Sequence, residues 1–230
     1  MRISLLTPPG IAKFNISERI SEKYSIPIIS LKDLLLQEVN SGSELGLDIK
    51  KQIDNSKPVS NDNIISIMTK AFEDEFYSDG FLLDGLPCNK VQAEALDNIL
   101  AKRDQGLQGL IFLHLDYDKL MEFMTGQLSC RSCSNEFNIY FNPPYLDKVC
   151  DDCGGKLYQR ADDREETISR RIRDFEAYLD TLKEYYNSSL LKIIVTGIDS
   201  DLIFKLSVKA VDSCKENFIQ TTEQSDSVNL

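Results

Sequence analysis

Residues 2–15 read Arg2-Ile3-Ser4-Leu5-Leu6-Thr7-Pro8-Pro9-Gly10-Ile11-Ala12-Lys13-Phe14-Asn15. The apolar run 2–6 has the length of a buried strand, and the spacing from Ile16 to about Lys23 is helical. The stretch therefore predicts a strand, a glycine-bearing turn and a helix, the opening unit of an α/β protein. Working outward, Ile28-Ile29 begins a second short strand, and helical patterns follow at 31–40, 44–53 and 61–76. Phe81-Leu82-Leu83-Asp84-Gly85 reads as another buried strand ending in a turn. A helix at 90–103, a strand at 110–115 and a helix at 117–126 continue the alternation, which resumes with a helix at 163–187, a strand at 192–195 and a helix at 199–214. Strands alternating with helices predict a parallel sheet flanked by helices. From Lys215 to residue 230 the chain is polar and reads as a flexible tail.

At 230 residues the chain can bury one substantial core and carry one small insert. Apolar residues make up 42% and charged residues 27%, as in soluble globular proteins. With 37 acidic against 26 basic residues the net charge is −11, which argues against a nucleic-acid or anionic-membrane partner. The apolar run at the start is too short for a signal segment or a membrane span, so a cytoplasmic location is expected.

The alternation breaks at 130–153, where four of the six cysteines fall as two C-x-x-C pairs, Cys130/Cys133 and Cys150/Cys153. That spacing presents paired sulfurs at the corners of a tetrahedron and points to a metal, zinc or iron, not to disulfides. Four thiolates leave no open position for substrate, so the metal is expected to be structural. Cys88 and Cys214 stand alone and read as small hydrophobes.

These residues carry a resemblance to the adenylate kinase family, in its long form with a zinc lid. G-F-L-L-D-G-L-P at 80–87 resembles the family's G-F-L-L-D-G-F-P, and S-G-S-E-L-G at 41–46 resembles its S-G-[ST]-x-L-G. F-N-P-P at 141–144 and R-x-D-D-x-x-E-T at 160–167 match the lid and the return from it. The resemblance covers about 1–214 and implies a P-loop nucleoside monophosphate kinase fold. Its parts would be a core at 1–125 and 163–214, a monophosphate-binding region at about 30–60, and an inserted metal-binding lid at 126–162. ATP and magnesium are implied as candidate cofactors beside structural zinc.

The phosphate-handling positions depart from the family. Against its loop G-x-P-G-x-G-K-G-T, this chain keeps Gly10 and Lys13 but has Thr7, Ala12 and Phe14 in place of glycines, and Asn15 in place of a hydroxyl residue. Side chains there cost about 1–2 kcal/mol each where the backbone must turn left-handed. Phe14 either crowds the anion site at the helix N-terminus or points into the core.

Four family arginines are replaced by Leu36, Cys88, Phe123 and Gln127, and a threonine by Leu31. Arg160 and Arg171 remain as candidate catalytic cations with Lys13. The resemblance further assigns Gly10, Lys13, Asp84 and Gln92 to nucleotide binding, with Asp84 an outer-shell magnesium partner, and Asp162 and Asp163 to the lid hinge. The expectation is a chain that keeps fold and metal but has lost, or nearly lost, ATP:AMP phosphotransfer. Such a chain would bind adenine nucleotide or serve as a docking subunit in a larger assembly. The alternative is a working nucleoside monophosphate kinase.

Overall fold

In the computed structural model the described residues are 1–55, 57–160, 163–186 and 190–226, with the side chains of 12–13 and 216–226 outside the description. Lys13, Ala12 and Asp162 are therefore known here by sequence position only.

Five parallel strands form the central sheet: β1 (Arg2–Leu6), β2 (Ile28–Ser30), β3 (Phe81–Asp84), β4 (Gly109–Leu115) and β8 (Leu191–Thr196), in the order β2-β3-β1-β4-β8. Their side chains alternate between the two faces, as a period of two requires. Ile3, Leu5, Leu82, Ile111 and Leu113 join the core under one helical layer. Leu6, Leu110 and Phe112 face the opposite layer, and Phe81 and Leu83 enter a third cluster.

The helices are α1 (Ile16–Tyr24), α2 (Leu31–Ser41), α3 (Glu44–Asp54), α4 (Asn61–Ala71), α5 (Lys90–Ala101), α6 (Tyr117–Thr125), α7 (Glu165–Tyr185) and α8 (Ser200–Asp226). Side chains cap several N-termini: Ser30, Ser43, Ser60, Asn89 and Asp116 each accept from a backbone N–H three residues on. Each such cap supplies a partner that the first helical turn lacks, worth about 1 kcal/mol.

Two boundaries differ from the sequence reading. The helix expected to run to 76 ends at Ala71 and is followed by a separate 3-10 turn, Glu75–Tyr77, capped by Asp74. At the other end, α8 passes Lys215 and continues to Asp226 where a tail was expected. No glycine or proline interrupts 200–226, and polar composition alone does not stop a helix already nucleated.

The insert forms its own antiparallel sheet, β6-β5-β7, from β5 (Gln127–Cys130), β6 (Glu136–Asn138) and β7 (Leu157–Tyr158). Its core is small: Cys130, Phe137, Cys150 and Leu157, two of the four being cysteines. A core of that size does not hold a domain unaided.

Candidate functional site

A cleft of about 860 Å³ opens at the C-terminal ends of β1, β2 and β3, between the turn after β1 and the pair α2–α3. That is where open parallel sheets place their ligands. Gly10, Asp84 and Arg171 all line it, so three of the residues singled out in the sequence converge here. Gly10 holds φ at +87°, and a Cβ there would meet Met124 at 3.0 Å, which explains the one glycine kept in the turn.

The turn itself is tightly wound. Ile11–Phe14 is a 3-10 helix, and Asn15 then adopts φ 50° and ψ 41° before α1 begins, without a side-chain cap. The Ile11 N–H donates to the Pro8 carbonyl at 3.3 Å, and the Ile11 side chain is fully buried. Phe14 resolves the two options left open by its sequence position. It turns inward, its ring 5.3 Å from Phe123, and Phe123 in turn meets Phe141 of the lid at 5.8 Å.

The lid base is tied to the same place, since Gln127 and Asn138 both donate through their amides to the Phe123 carbonyl, at 3.1 and 2.7 Å.

The far wall is apolar. Leu31, Leu35 and Val39 recur at helical spacing on the cleft face of α2, with Leu36 beside them and Ile53 of α3 opposite. The other face of α2 packs on α4. There Glu38, a buried carboxylate, accepts from Lys70 Nζ at 2.8 Å and from the Ser43 hydroxyl. The Lys70 ammonium first, then the Ser43 hydroxyl, hold the Glu38 carboxyl below its ordinary range despite burial. Gly46 is required beside it, because any Cβ would collide with the Glu38 carbonyl.

Charge in the cleft is mixed. Among its described side chains Lys32, Lys50 and Arg171 face Glu18, Asp33, Asp54 and Asp84, three cations against four carboxylates. Burial raises the Asp84 carboxyl; Ser17 donates a hydrogen bond that opposes this, while Glu18 and Asp33 reinforce it. Glu18, Asp33 and Asp54 went unnoticed in the sequence, as did Lys32 and Lys50. The available signal was the i, i+4 pair Lys50/Asp54, which shares a helix face.

Two sequence-predicted residues stand elsewhere. Gln92 is 2% exposed, accepts from the Cys88 N–H at 2.8 Å and donates to Asn61 Oδ1 at 2.9 Å, so both ends of its amide are committed within the protein. Arg160 pairs with Glu136 of the lid at 3.1 Å, with both side chains exposed. Asp163 donates its N–H to the Arg160 carbonyl, at the return from the lid.

In the lid, the four sulfurs of Cys130, Cys133, Cys150 and Cys153 lie within 4.8 Å of one another. Three of the separations are 3.5, 3.6 and 3.4 Å. Zn–S bonds of about 2.3 Å at tetrahedral angles require about 3.8 Å between sulfurs, and a disulfide only about 2.05 Å. The donor set therefore fits a tetrahedral thiolate-binding ion and not two disulfides. Backbone N–H groups of Cys133 and Ser132 lower the Cys130 thiol, favouring the thiolate a metal needs.

Among the described residues no helix is long and apolar enough to cross a membrane.

Residues 5–191 match the family model described as adenylate kinase. The chain is 42% identical over 200 residues to the adenylate kinase of Nitrosococcus oceani, covering 86% of this chain and 92% of the relative. It is 38% identical over 205 residues to that of Syntrophobacter fumaroxidans, covering 89% and 96%. With the adenylate kinase of Clostridioides difficile it shares 37% over 219 residues, covering 94% and 100%.

Proposed function

This chain belongs to the adenylate kinase family, and from that premise we propose that its ATP:AMP phosphotransfer is lost or severely weakened. In this reading it keeps fold and lid and acts as an adenine-nucleotide-binding or docking subunit. The observation that carries the proposal is the charge lining of the cleft, where among the described side chains Arg171 is the sole arginine beside four carboxylates and two lysines.

Phosphoryl transfer is accelerated mainly by fixed cations around the moving group, and arginine suits this because its fork pairs two phosphate oxygens at once. Loss of one such arginine costs on the order of 10³-fold, and several losses need not multiply. Leu36, Cys88, Phe123 and Gln127 carry no charge to replace them. The turn supports the same reading. Its Ile11 N–H is spent on Pro8, and its Phe14 side chain on Phe123.

In the lid, Cys130, Cys133, Cys150 and Cys153 would hold zinc, which supplies the cross-link that the small lid core lacks. In the cleft, Asp84 would face a magnesium ion brought with ATP, and Gly10 would let the backbone approach phosphate.

A second reading is a working nucleoside monophosphate kinase. It is favoured by identity of 36–42% to relatives named adenylate kinase along most of the chain. One assay separates the two: ADP formation from ATP and AMP with magnesium at high protein concentration, run beside Lys13→Ala. Turnover no greater than the variant's supports the proposal. Turnover that depends on Lys13 overturns it.

A further inference from the structure

We infer that the cleft between the first turn and α2–α3 takes a neutral, nucleoside-sized ligand in preference to the same molecule carrying a phosphate monoester. The inference rests on the reading that phosphotransfer is lost. It names the ligand class that the remaining cleft suits.

Size and lining come first. A cleft of about 860 Å³ lies within the range of small-molecule sites. Leu36 and Ile53 leave 49% and 48% of their surface exposed, an apolar wall on which a flat ligand can bury area.

Electrostatics decide the phosphate. Asp84 lies mostly buried in the cleft, and the fields of Glu18 and Asp33 both act on it. A phosphate dianion entering here exchanges its water for a lining whose described side chains, four carboxylates against Lys32, Lys50 and Arg171, keep a net negative charge, and among them only Arg171 offers a planar fork in return. A neutral nucleoside meets the same apolar wall without that repulsion. The carboxylates can also accept hydrogen bonds from its hydroxyl groups.

The test is calorimetric titration of the full chain with adenosine and, separately, with AMP, at one ionic strength and without magnesium. Adenosine is expected to bind more tightly than AMP. Removing two negative charges in Glu18→Gln/Asp33→Asn should shift the affinity ratio toward AMP by about tenfold. Leu36→Arg, at a half-exposed position that tolerates a long side chain, should shift it the same way and guards against a misfolded double variant. AMP binding as tightly as adenosine or more tightly in the unsubstituted chain, a ratio that neither variant moves, or no binding of either ligand at millimolar concentration overturns the inference. AMP preference with Lys13-dependent turnover overturns the proposed function as well. AMP preference without turnover overturns this inference alone.

Discussion

The ring of Phe14 lies 5.3 Å from that of Phe123 at an interplanar angle of 51°. One residue comes from the turn after the first strand and the other from the end of α6, so two positions that depart from the family pattern complete each other in space. A benzyl group in the turn is accommodated because the partner position is also aromatic and not cationic. Phe141 extends the contact into the lid.

That pairing predicts coupled energetics. Phe123→Ala, at 8% exposure, should cost about 3–5 kcal/mol of stability by removing a buried ring. A double-mutant cycle with Phe14→Ala, read by chemical denaturation, should return a coupling of about 0.5–1.5 kcal/mol. Additive effects would show that the rings touch without supporting each other.

Zinc should be an integral part of the lid. Purified protein should carry about one zinc per chain by elemental analysis, and Cys150→Ser should carry far less. Chelation should raise hydrogen exchange across 127–158 while the central sheet keeps its protection, because the lid core is separate from the clusters around the sheet. Equal loss of protection in both regions would mean that the lid is not an independent unit.

Glu38 and Lys70 should make stability sensitive to acid. The folded Glu38 carboxyl lies below its usual value of 4.5, so its contribution is fully present above that pH. It disappears as pH falls through the depressed folded value. Lys70 is 62% exposed, and solvent screening keeps the pair modest, so Lys70→Ala should cost about 1–2 kcal/mol near neutral pH. Melting curves of both proteins should converge only once the pH has fallen below the depressed folded value. A difference that persists there would assign the loss to packing.

Gln92 is expected to matter for stability more than for ligand affinity. Gln92→Leu leaves the Cys88 N–H without its partner and leaves Asn61 Oδ1 with Asn89 alone, at about 1–3 kcal/mol. Adenine-nucleotide affinity should change less than about threefold, since both ends of the amide already serve the protein. A large loss of affinity with unchanged melting temperature would return Gln92 to the ligand.

Much of the fold was legible because its signals are local. Apolar runs at 2–6, 81–84 and 109–115 end at turn residues, and the alternation of strand and helix leaves few topologies open. The four cysteines were equally plain, since their spacing is itself the geometry of the site. Boundaries were less legible where propensity is weak, as in the polar extension of α8, which continues because nothing stops it.

The cleft was harder to read. Leu31, Leu35 and Val39 form an apolar stripe that sequence alone would assign to the core, yet it faces the cleft, because Leu34 and Glu38 already occupy the side toward α4.

The sequence by itself determined the family, the parallel sheet, the inserted segment with its four clustered cysteines and the substitutions at the phosphate-handling positions, all of which follow from residue type and spacing. Only the tertiary structure decided that Phe14 turns inward onto Phe123, that Gln92 is spent on Cys88 and Asn61, and that Glu18, Asp33 and Asp54 line the same cleft as Asp84. The physical reason is that a side chain's partners are set by packing between elements distant in sequence, and pattern along the chain carries no record of them.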